Sequence, residues 1–301
     1  MKALIAGWFS FENGGATAGD LLARDLACEW LKRAGCSYDG ALASPFLGGV
    51  DWRSVDPETY SQVVFVCGPV RKEEKRITEL LRRFVDSRTV GLNLSMLETL
   101  DVWNPFDLLL ERDSPTSSRP DITFLSARAR VPVVGVVLVG PQPEYEGKAV
   151  HQAANEAIGR LVASRGMSVV PIDTRLDANC TGLRSPAEVE SLIARMDVVL
   201  TTRLHGMVLA LKNGVPAVAI DAIAGGAKVK RQAGAIGWPV VFTADSLTDE
   251  ALREAFDYCL TEEARAKADE CRERVARRVR EEVRDAFISA LVRCSEKMED
   301  F

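Results

Sequence analysis

The sequence is poor in histidine, lacks paired cysteines and has no long apolar run. Its 301 residues include only two histidines, His151 and His205, too few for a multi-histidine metal site, so we predict no metal. The seven cysteines are scattered without a C-x-x-C pair, which excludes a zinc ribbon and predicts reduced thiols in a cytoplasmic protein. The longest apolar run, residues 131–139, is far shorter than the ~20 residues that cross a bilayer, so we expect no transmembrane segment.

An excess of basic residues is also missing. The chain has 38 Lys and Arg against 43 Asp and Glu, for a net charge of −5. A protein that binds mainly nucleic acid usually concentrates positive charge, so we predict no nucleic-acid partner. Hydrophobic residues make up 47% of the chain, enough for a folded core, and 301 residues suggest two domains or one large α/β unit.

Short apolar runs alternate with longer amphipathic segments from end to end. This rhythm predicts an α/β fold with parallel sheets that are covered on both faces. The predicted strands are 3–8, 63–67, 89–94, 133–139, 168–172, 198–201, 215–220 and 240–242. The predicted helices are 19–34, 72–85, 150–164, 186–196, 204–212 and 247–260.

A Ser/Pro-rich stretch at 113–120 divides this pattern and is interpreted as an interdomain linker. We therefore predict two doubly wound, Rossmann-like domains, residues 1–120 and 121–260, which face each other across a ligand cleft. Residues 261–301 are predicted to form a long amphipathic helix with an apolar stripe that packs across both domains. Transient contact of this helix with a membrane surface is the alternative, and a homo-oligomer is left open.

The segment 197–221 carries the most specific chemical signal. It is predicted to be a strand, a turn capped by Thr201 or Thr202, a helix closed by Asn213-Gly214, and a second strand. This order puts Arg203 and His205 at a helix start, where free amides and a cationic fork welcome an anion and a histidine can move protons. The competing structural interpretation is a buried His205 bonded to backbone beside a surface arginine.

The same residues resemble the polysaccharide pyruvyl transferases, whose fold is similar to the two-domain GT-B glycosyltransferases. The resemblance rests on Arg203-Leu204-His205-Gly206, Gly214-Val215-Pro216 and Lys228-Val229. It implies transfer of a pyruvyl group from phosphoenolpyruvate to a sugar hydroxyl of a glycan or glycan precursor, without a cofactor. It further implies a donor site of Arg203, Leu204, Gly206 and Lys228, with His205 protonating the methylene carbon or deprotonating the acceptor hydroxyl.

A glycine-rich segment follows the first predicted strand, and its residues Asn13, Gly15, Gly19 and Asp20 are the candidates for the acceptor side of the cleft. The alternative is a turn in which Asp20 caps the next helix. The resemblance makes residues 1–120 the acceptor side and residues 121–260 the donor side. Members of the family often have asparagine and Gly-Asp at this point, more closely spaced than Asn13 and Gly19-Asp20 are here.

One departure from the family pattern concerns the donor. Family members tend to carry an arginine directly after the first strand of the second domain, whereas residues 137–144 contain none and only Arg128 and Arg130 precede that strand. The alternatives are therefore a GT-B nucleotide-sugar glycosyltransferase, or a catalytically silent member that binds a glycan or a partner protein.

Overall fold

The protein was analysed as a computed structural model, which describes residues 1–140 and 150–291. The chain divides into two compact units, Met1–Ala129 and Arg130–Phe301, and each is described by itself. In the described part of the chain, no helix is long and apolar enough to cross a membrane.

The first unit is built on a parallel sheet of five strands in the order β2-β1-β3-β5-β7. It also contains a smaller sheet of four short strands in the order β4-β6-β8-β9. Its larger-sheet strands are β1 (Lys2–Gly7), β2 (Ser37–Gly40), β3 (Gln62–Val66), β5 (Arg88–Leu92) and β7 (Leu108–Leu110). Its short strands are β4 (Pro69–Val70), β6 (Ser95–Met96), β8 (Asp113–Ser114) and β9 (Ser117–Ser118), and its helices are α1 (Ala18–Arg33) and α2 (Lys75–Arg83).

The segment predicted as a linker is part of this first unit. Strands β8 and β9 form an antiparallel hairpin within residues 113–120. The chain then forms a short 3-10 helix, Ile122–Leu125, which packs against α1. Asp121 holds this turn in place, because its carboxylate accepts hydrogen bonds from Asn93 (3.1 Å) and Arg112 (3.0 Å). The first unit therefore extends past residue 120, and the compact units divide at 129/130.

The second unit is a parallel sheet in the order β11-β10-β12-β13-β14. Its strands are β10 (Val133–Val137), β11 (Ser168–Pro171), β12 (Val198–Thr201), β13 (Ala217–Asp221) and β14 (Val241–Thr243). Its helices are α3 (His151–Ser164), α4 (Pro186–Ile193), α5 (Leu204–Lys212), α6 (Lys228–Ile236), α7 (Asp249–Cys259) and α8 (Glu262–Val279). The predicted α/β class with two doubly wound domains is confirmed.

Strand order locates the edge of this sheet where a ligand is expected. The chain lays β10 first and then adds β11 on one side and β12 on the other, so their following loops diverge between β10 and β12. Such a switch point leaves a crevice at the carboxyl ends of the strands. Val137 and Thr201 are register partners at this point, and both are fully buried.

The long C-terminal helix is also confirmed over the described residues. Its first half packs on α5 and α7 of the second unit through the buried residues Ala264, Ala268 and Cys271. The helix continues through a π-helical stretch, Arg280–Arg284, to residue 291. Beyond Val275 the predicted apolar stripe is exposed, with Phe287 at 63%. Packing across both domains remains a prediction.

Candidate functional site

The turn between β12 and α5 is held by the hydroxyl of Thr201. This oxygen accepts a hydrogen bond from the Arg203 N–H (2.9 Å) and donates to the carbonyl of Val137 on the neighbouring strand (2.8 Å). Thr201 is fully buried, so both bonds are made away from water. The residues after β12 are thereby locked to the end of β10.

Thr202 fixes the loop that follows β10. Its hydroxyl accepts from the Val139 N–H (2.9 Å) and donates to Asn155 of α3 (3.1 Å). Asn155 in turn donates to the Val139 carbonyl (3.3 Å). Three elements therefore meet in one polar network beside the start of α5, which keeps the backbone of the site in one arrangement.

The first turn of α5 differs from its prediction in one detail. Arg203 itself is the N-cap residue, with an extended backbone, and no described side chain caps this helix end. The cap predicted at Thr201 or Thr202 is therefore wrong, because the Thr201 hydroxyl bonds to the Arg203 amide and the Thr202 hydroxyl points to Asn155. Amides at the N-terminus of α5 remain available to an anion.

A cavity of about 200 Å³ opens at this helix start. Its lining residues are Val139, Thr202, Arg203, Leu204, His205 and Lys228. Four of the five residues predicted for the catalytic and donor site thus come together. Two of these lining residues, Arg203 and Lys228, are cationic. His205 is exposed, which excludes the alternative of a buried histidine bonded to backbone.

Gly206, the fifth predicted residue, is buried behind this cavity. A Cβ at this position would lie 2.2 Å from the Thr201 Oγ1 and 3.0 Å from the Cβ of Val137. Contacts under 3.0 Å are not tolerated, so a side chain here would push Thr201 away from its partners. The glycine allows α5 to pack closely on the strand ends.

Lys228 reaches the cavity because an aspartate holds the start of α6. Asp221, at the end of β13, is buried, and its carboxylate accepts hydrogen bonds from the N–H groups of Ala227 (2.7 Å) and Lys230 (2.9 Å). An ionised acceptor at a helix N-terminus is a stabilising arrangement. Sequence reasoning missed Asp221, although a carboxylate that ends an apolar strand is a readable signal.

Arg203 also lines a second, larger cavity of about 310 Å³ at the end of β11. There it lies close to Asp173, and its Nη1 is 3.4 Å from the Thr174 hydroxyl. Burial alone would raise the pKa of Asp173, but hydrogen bonds from the N–H groups of Arg175 and Cys180 and the charge of Arg203 lower it below its ordinary value. Asp173 is therefore an anion at neutral pH.

The glycine-rich segment lies in the first unit. Asn13 is exposed with a left-handed backbone (φ 52°), and Gly15 is left-handed too (φ 74°). Asp20 forms a capping box with Thr17: its carboxylate accepts from the Thr17 N–H (2.7 Å), and the Thr17 hydroxyl accepts from the Asp20 N–H (3.4 Å). The capping role considered for Asp20 is thus present, and roles for Asn13, Gly15 and Gly19 in acceptor binding stay predictions.

The structure also places the two arginines that precede β10. Arg128 pairs with Asp25 in the first unit. Arg130 lines a cavity with Arg195 and Asp197, at the amino ends of β10 and β12. Arg130 therefore lies at the opposite end of the strands from Arg203 and does not replace the arginine of the family pattern. Of the segment 137–144, residues 141–144 lie outside the described residues.

Metal and cofactor sites were sought among the described residues as well. Within residues 1–140 and 150–291, no three His, Cys, Asp or Glu side chains are placed to hold a metal ion. The cysteines described there are free thiols. The fold and site define a doubly wound α/β protein with a cavity at an uncapped helix start, at the switch point of its second sheet.

Comparison with known proteins agrees with this class. Residues 119–222 match the family model described as polysaccharide pyruvyl transferase, which confirms the resemblance over about a third of the chain. The match includes β10, α3, β12, α5 and β13, and so the whole turn that carries Arg203 and His205. It supports a glycan-modifying transferase. No curated protein matches the sequence.

Solved structures give a distant similarity. Spinosyn rhamnosyltransferase SpnG is 11% identical, with 92% of this chain and 96% of that chain covered and a TM-score of 0.36. Spinosyn forosaminyltransferase SpnP is 14% identical over 91% and 94%, with a TM-score of 0.34. UDP-GlcNAc 2-epimerase from Methanocaldococcus jannaschii is 11% identical over 88% and 94%, with a TM-score of 0.33. At these scores the similarities carry no argument about this chain.

Proposed function

We propose that this protein transfers a pyruvyl group from phosphoenolpyruvate to a sugar hydroxyl of a glycan or glycan precursor. The observation that carries the proposal is the 200 Å³ cavity, where Arg203, His205 and Lys228 converge at the uncapped start of α5. Phosphoenolpyruvate carries a phosphate and a carboxylate on one small carbon skeleton. Two cationic side chains and the amides of a helix start form a suitable receptor for these anionic groups.

The proposed chemistry follows from the placement of these groups. The acceptor oxygen forms a bond to C2 of phosphoenolpyruvate while the methylene carbon C3 takes up a proton. The proton that C3 takes up replaces the one that the acceptor hydroxyl gives up. The bond between C2 and the phosphate oxygen then breaks, and a second hydroxyl adds to C2 and closes the ketal while its proton leaves with the departing phosphate. Arg203 and Lys228 stabilise the charge on the departing phosphate, and His205, exposed at the cavity, moves the proton.

The proposal includes the predicted roles of the two units, the absence of a cofactor and the location of the reaction. The second unit is the donor side, while Asn13, Gly15, Gly19 and Asp20 in the first unit contact the acceptor. The reaction needs neither a metal nor a bound cofactor, since phosphoenolpyruvate is itself the activated donor. We place the reaction in the cytoplasm, in line with the free thiols of the described cysteines.

Ligand-dependent thermal stability tests the donor. Phosphoenolpyruvate stabilises a binding protein by RT ln(1 + [L]/Kd), so a site with submillimolar Kd gives a clear rise in Tm at millimolar ligand. We expect that rise in the wild-type protein, its loss in Arg203→Ala, and its retention in His205→Asn together with loss of turnover. Arg195→Ala is a matched control, because Arg195 precedes the opposite end of the same strand and is exposed.

The outcome separates the competing functions. A rise in Tm with a nucleotide sugar and none with phosphoenolpyruvate would establish the glycosyltransferase alternative and contradict our donor. Binding of phosphoenolpyruvate with unaltered turnover in His205→Asn would remove His205 from the chemistry. Lys230 is exposed and lies two residues along α6 from Lys228. A Lys230→Ala variant therefore controls for the general loss of positive charge in Arg203→Ala.

A further inference from the structure

The second cavity at the end of β11 is a built site with its own chemistry. Its apolar wall comes from Val136, Leu138, Pro171 and Ile172, and its polar wall from Asp173, Arg175, Cys180, Thr181 and Arg203. At about 310 Å³ it is at the lower end of the range for small-molecule pockets, roughly 300–1,000 Å³, so it suits a single ring. It shares only Arg203 with the cavity that contains His205.

The loop after β11 is held rigidly by one amide side chain. Asn179 accepts hydrogen bonds from the N–H groups of Thr181 (2.8 Å) and Leu183 (3.0 Å). It donates to the carbonyls of Asp173 (2.8 Å) and Arg175 (2.6 Å). Each end of the loop is therefore tied to its middle, and the polar wall keeps its shape without a ligand.

The carboxylate of Asp173 retains acceptor capacity toward this cavity. Its Oδ1 accepts a good bond from the Arg175 N–H (2.9 Å), but Oδ2 has only long contacts, with the Cys180 N–H (3.4 Å) and Sγ (3.5 Å). An ionised carboxylate offers about four lone-pair sites. Hydroxyl donors of a ligand would fill the remaining ones.

The charge around the cavity favours a neutral ligand. The guanidinium of Arg175 is already paired with the carboxylate of Asp177 through two bonds (3.1 and 2.8 Å). Asp173 and Arg203 are opposite in sign and lie close to each other. An anionic ligand in this cavity would meet the Asp173 carboxylate, and Arg203 is shared with the donor cavity, whereas an uncharged ring with hydroxyls matches both walls.

We propose that this cavity binds a hydroxylated ring of the acceptor glycan, with Asp173 accepting hydrogen bonds from the ring hydroxyls and setting specificity. The proposal rests on the proposed function and adds to it the acceptor subsite beside the donor. Arg203, which lines both cavities, then lies between the two substrates and contacts each of them. The apolar wall packs against the C–H face of the ring.

Cys180 gives a direct reporter of occupancy, because its thiol is exposed and lines the cavity. The probes are methyl glycosides of common hexoses, with uridine as a neutral nucleoside of different shape. We expect a saturating methyl glycoside to slow N-ethylmaleimide labelling of Cys180 at least fivefold, as measured on its tryptic peptide. An unchanged labelling rate, or protection by uridine alone, would overturn the assignment.

Substitutions at the cavity test the same point independently. Asp173→Asn should weaken methyl glycoside binding at least tenfold in saturation-transfer NMR, while the protein still shows a rise in Tm with phosphoenolpyruvate. Asp257→Asn, which removes an exposed carboxylate on α7 outside the described lining of both cavities, should leave both unchanged. If Asp173→Asn disturbs the loop, Leu138→Trp fills the cavity from the opposite wall and should also block the glycoside.

These readouts keep the two proposals apart. Normal glycoside binding in both Asp173→Asn and Leu138→Trp would refute the acceptor subsite and leave the donor assignment intact. A missing phosphoenolpyruvate response with Asp173-dependent glycoside binding would refute the donor and keep the subsite. Arg203→Ala, at the shared wall, should reduce both responses.

Discussion

Replacing Gly206 with alanine tests whether the close packing at the start of α5 positions the site. The added Cβ would lie 2.2 Å from the Thr201 Oγ1 and 3.0 Å from the Cβ of Val137, so Thr201 must move. Thr201 then loses its bonds to the Arg203 N–H and the Val137 carbonyl. The substitution therefore acts on the backbone that carries the guanidinium and imidazole of the site.

The expected cost is a balance of three effects. Overpacking a well-packed site costs roughly 1–3 kcal/mol. Loss of hydrogen bonds by the buried Thr201 hydroxyl adds about 1 kcal/mol. The better helix propensity of alanine returns about 1 kcal/mol. We expect Gly206→Ala to lower the free energy of unfolding by about 2 kcal/mol.

Gly159 provides the matched control. It lies inside α3, is exposed, and an added Cβ would meet no atom within 4 Å. Gly159→Ala should therefore raise the free energy of unfolding by up to about 1 kcal/mol, from helix propensity alone. Urea denaturation of the full chain, followed by circular dichroism, measures both variants.

A double-mutant cycle then identifies the clashing atom. In a Thr201→Ala background the hydroxyl is absent, so Gly206→Ala should cost at least 1 kcal/mol less than in the wild type. Equal stability of Gly206→Ala and Gly159→Ala would refute the packing argument. An unchanged cost in the Thr201→Ala background would move the clash to Val137.

Other consequences can be measured directly. Asp221→Ala should cost about 3 kcal/mol in urea denaturation and weaken the phosphoenolpyruvate response, because the buried carboxylate holds the start of α6 through backbone N–H bonds. Burial raises the pKa of the Cys259 thiol to about 12, so at pH 8 iodoacetamide should modify Cys180 and leave Cys259 unreacted in the native protein. Because of the same shift, the folded state binds more protons than the unfolded state above pH ~9. The free energy of unfolding should therefore fall by about 1 kcal/mol per pH unit from there toward pH 12. In Cys259→Ala the free energy of unfolding should fall less steeply over the same range. A flat stability profile across that range would contradict the third expectation.

Much of the fold follows from the period of the sequence. Strand β12 and helix α5 were predicted with the bounds that the structure gives them, because a continuous apolar run, a Gly cap and a proline leave few alternatives. Strands β2 and β7 were not predicted. Both lie at the edges of their sheet; β2 contains only polar residues, tyrosine and glycine, while β7 is three leucines with partial exposure.

Helix α6 was missed for a related reason. Its sequence, KVKRQAGAI, is rich in charge and contains an interior glycine, so its local preference is weak. The helix begins where it does because Asp221 accepts from its first amides, a contact across six to nine residues that no periodicity reveals. Tertiary contacts of this kind decide elements whose own propensity is marginal.

The candidate site shows the same division between local and tertiary signals. Arg203, His205 and Lys228 are recognisable from a motif and a helix start, and the structure places them around one cavity. Asp173 was not singled out from the sequence, because nothing in the sequence indicates that its loop folds back through Asn179. Asp173 follows β11 and Arg203 follows β12, and these two strands flank β10 in the sheet. The two residues lie close together because of this strand order, which the sequence does not reveal.

The start of α5 lacks a side-chain cap, as does the start of α3, whose N-cap residue Val150 makes no capping bond. Helices α1, α2, α4, α7 and α8 each begin with a side chain that accepts a first-turn amide, and α6 receives the carboxylate of Asp221. At α5 the N-cap residue is an arginine without a capping bond, and its buried Nε has no hydrogen-bond partner in the described structure. Unmet amides and an unmet guanidinium nitrogen both cost stability, and they occur at the same point. An anion bound there would satisfy both at once, which agrees with the negatively charged donor that we propose.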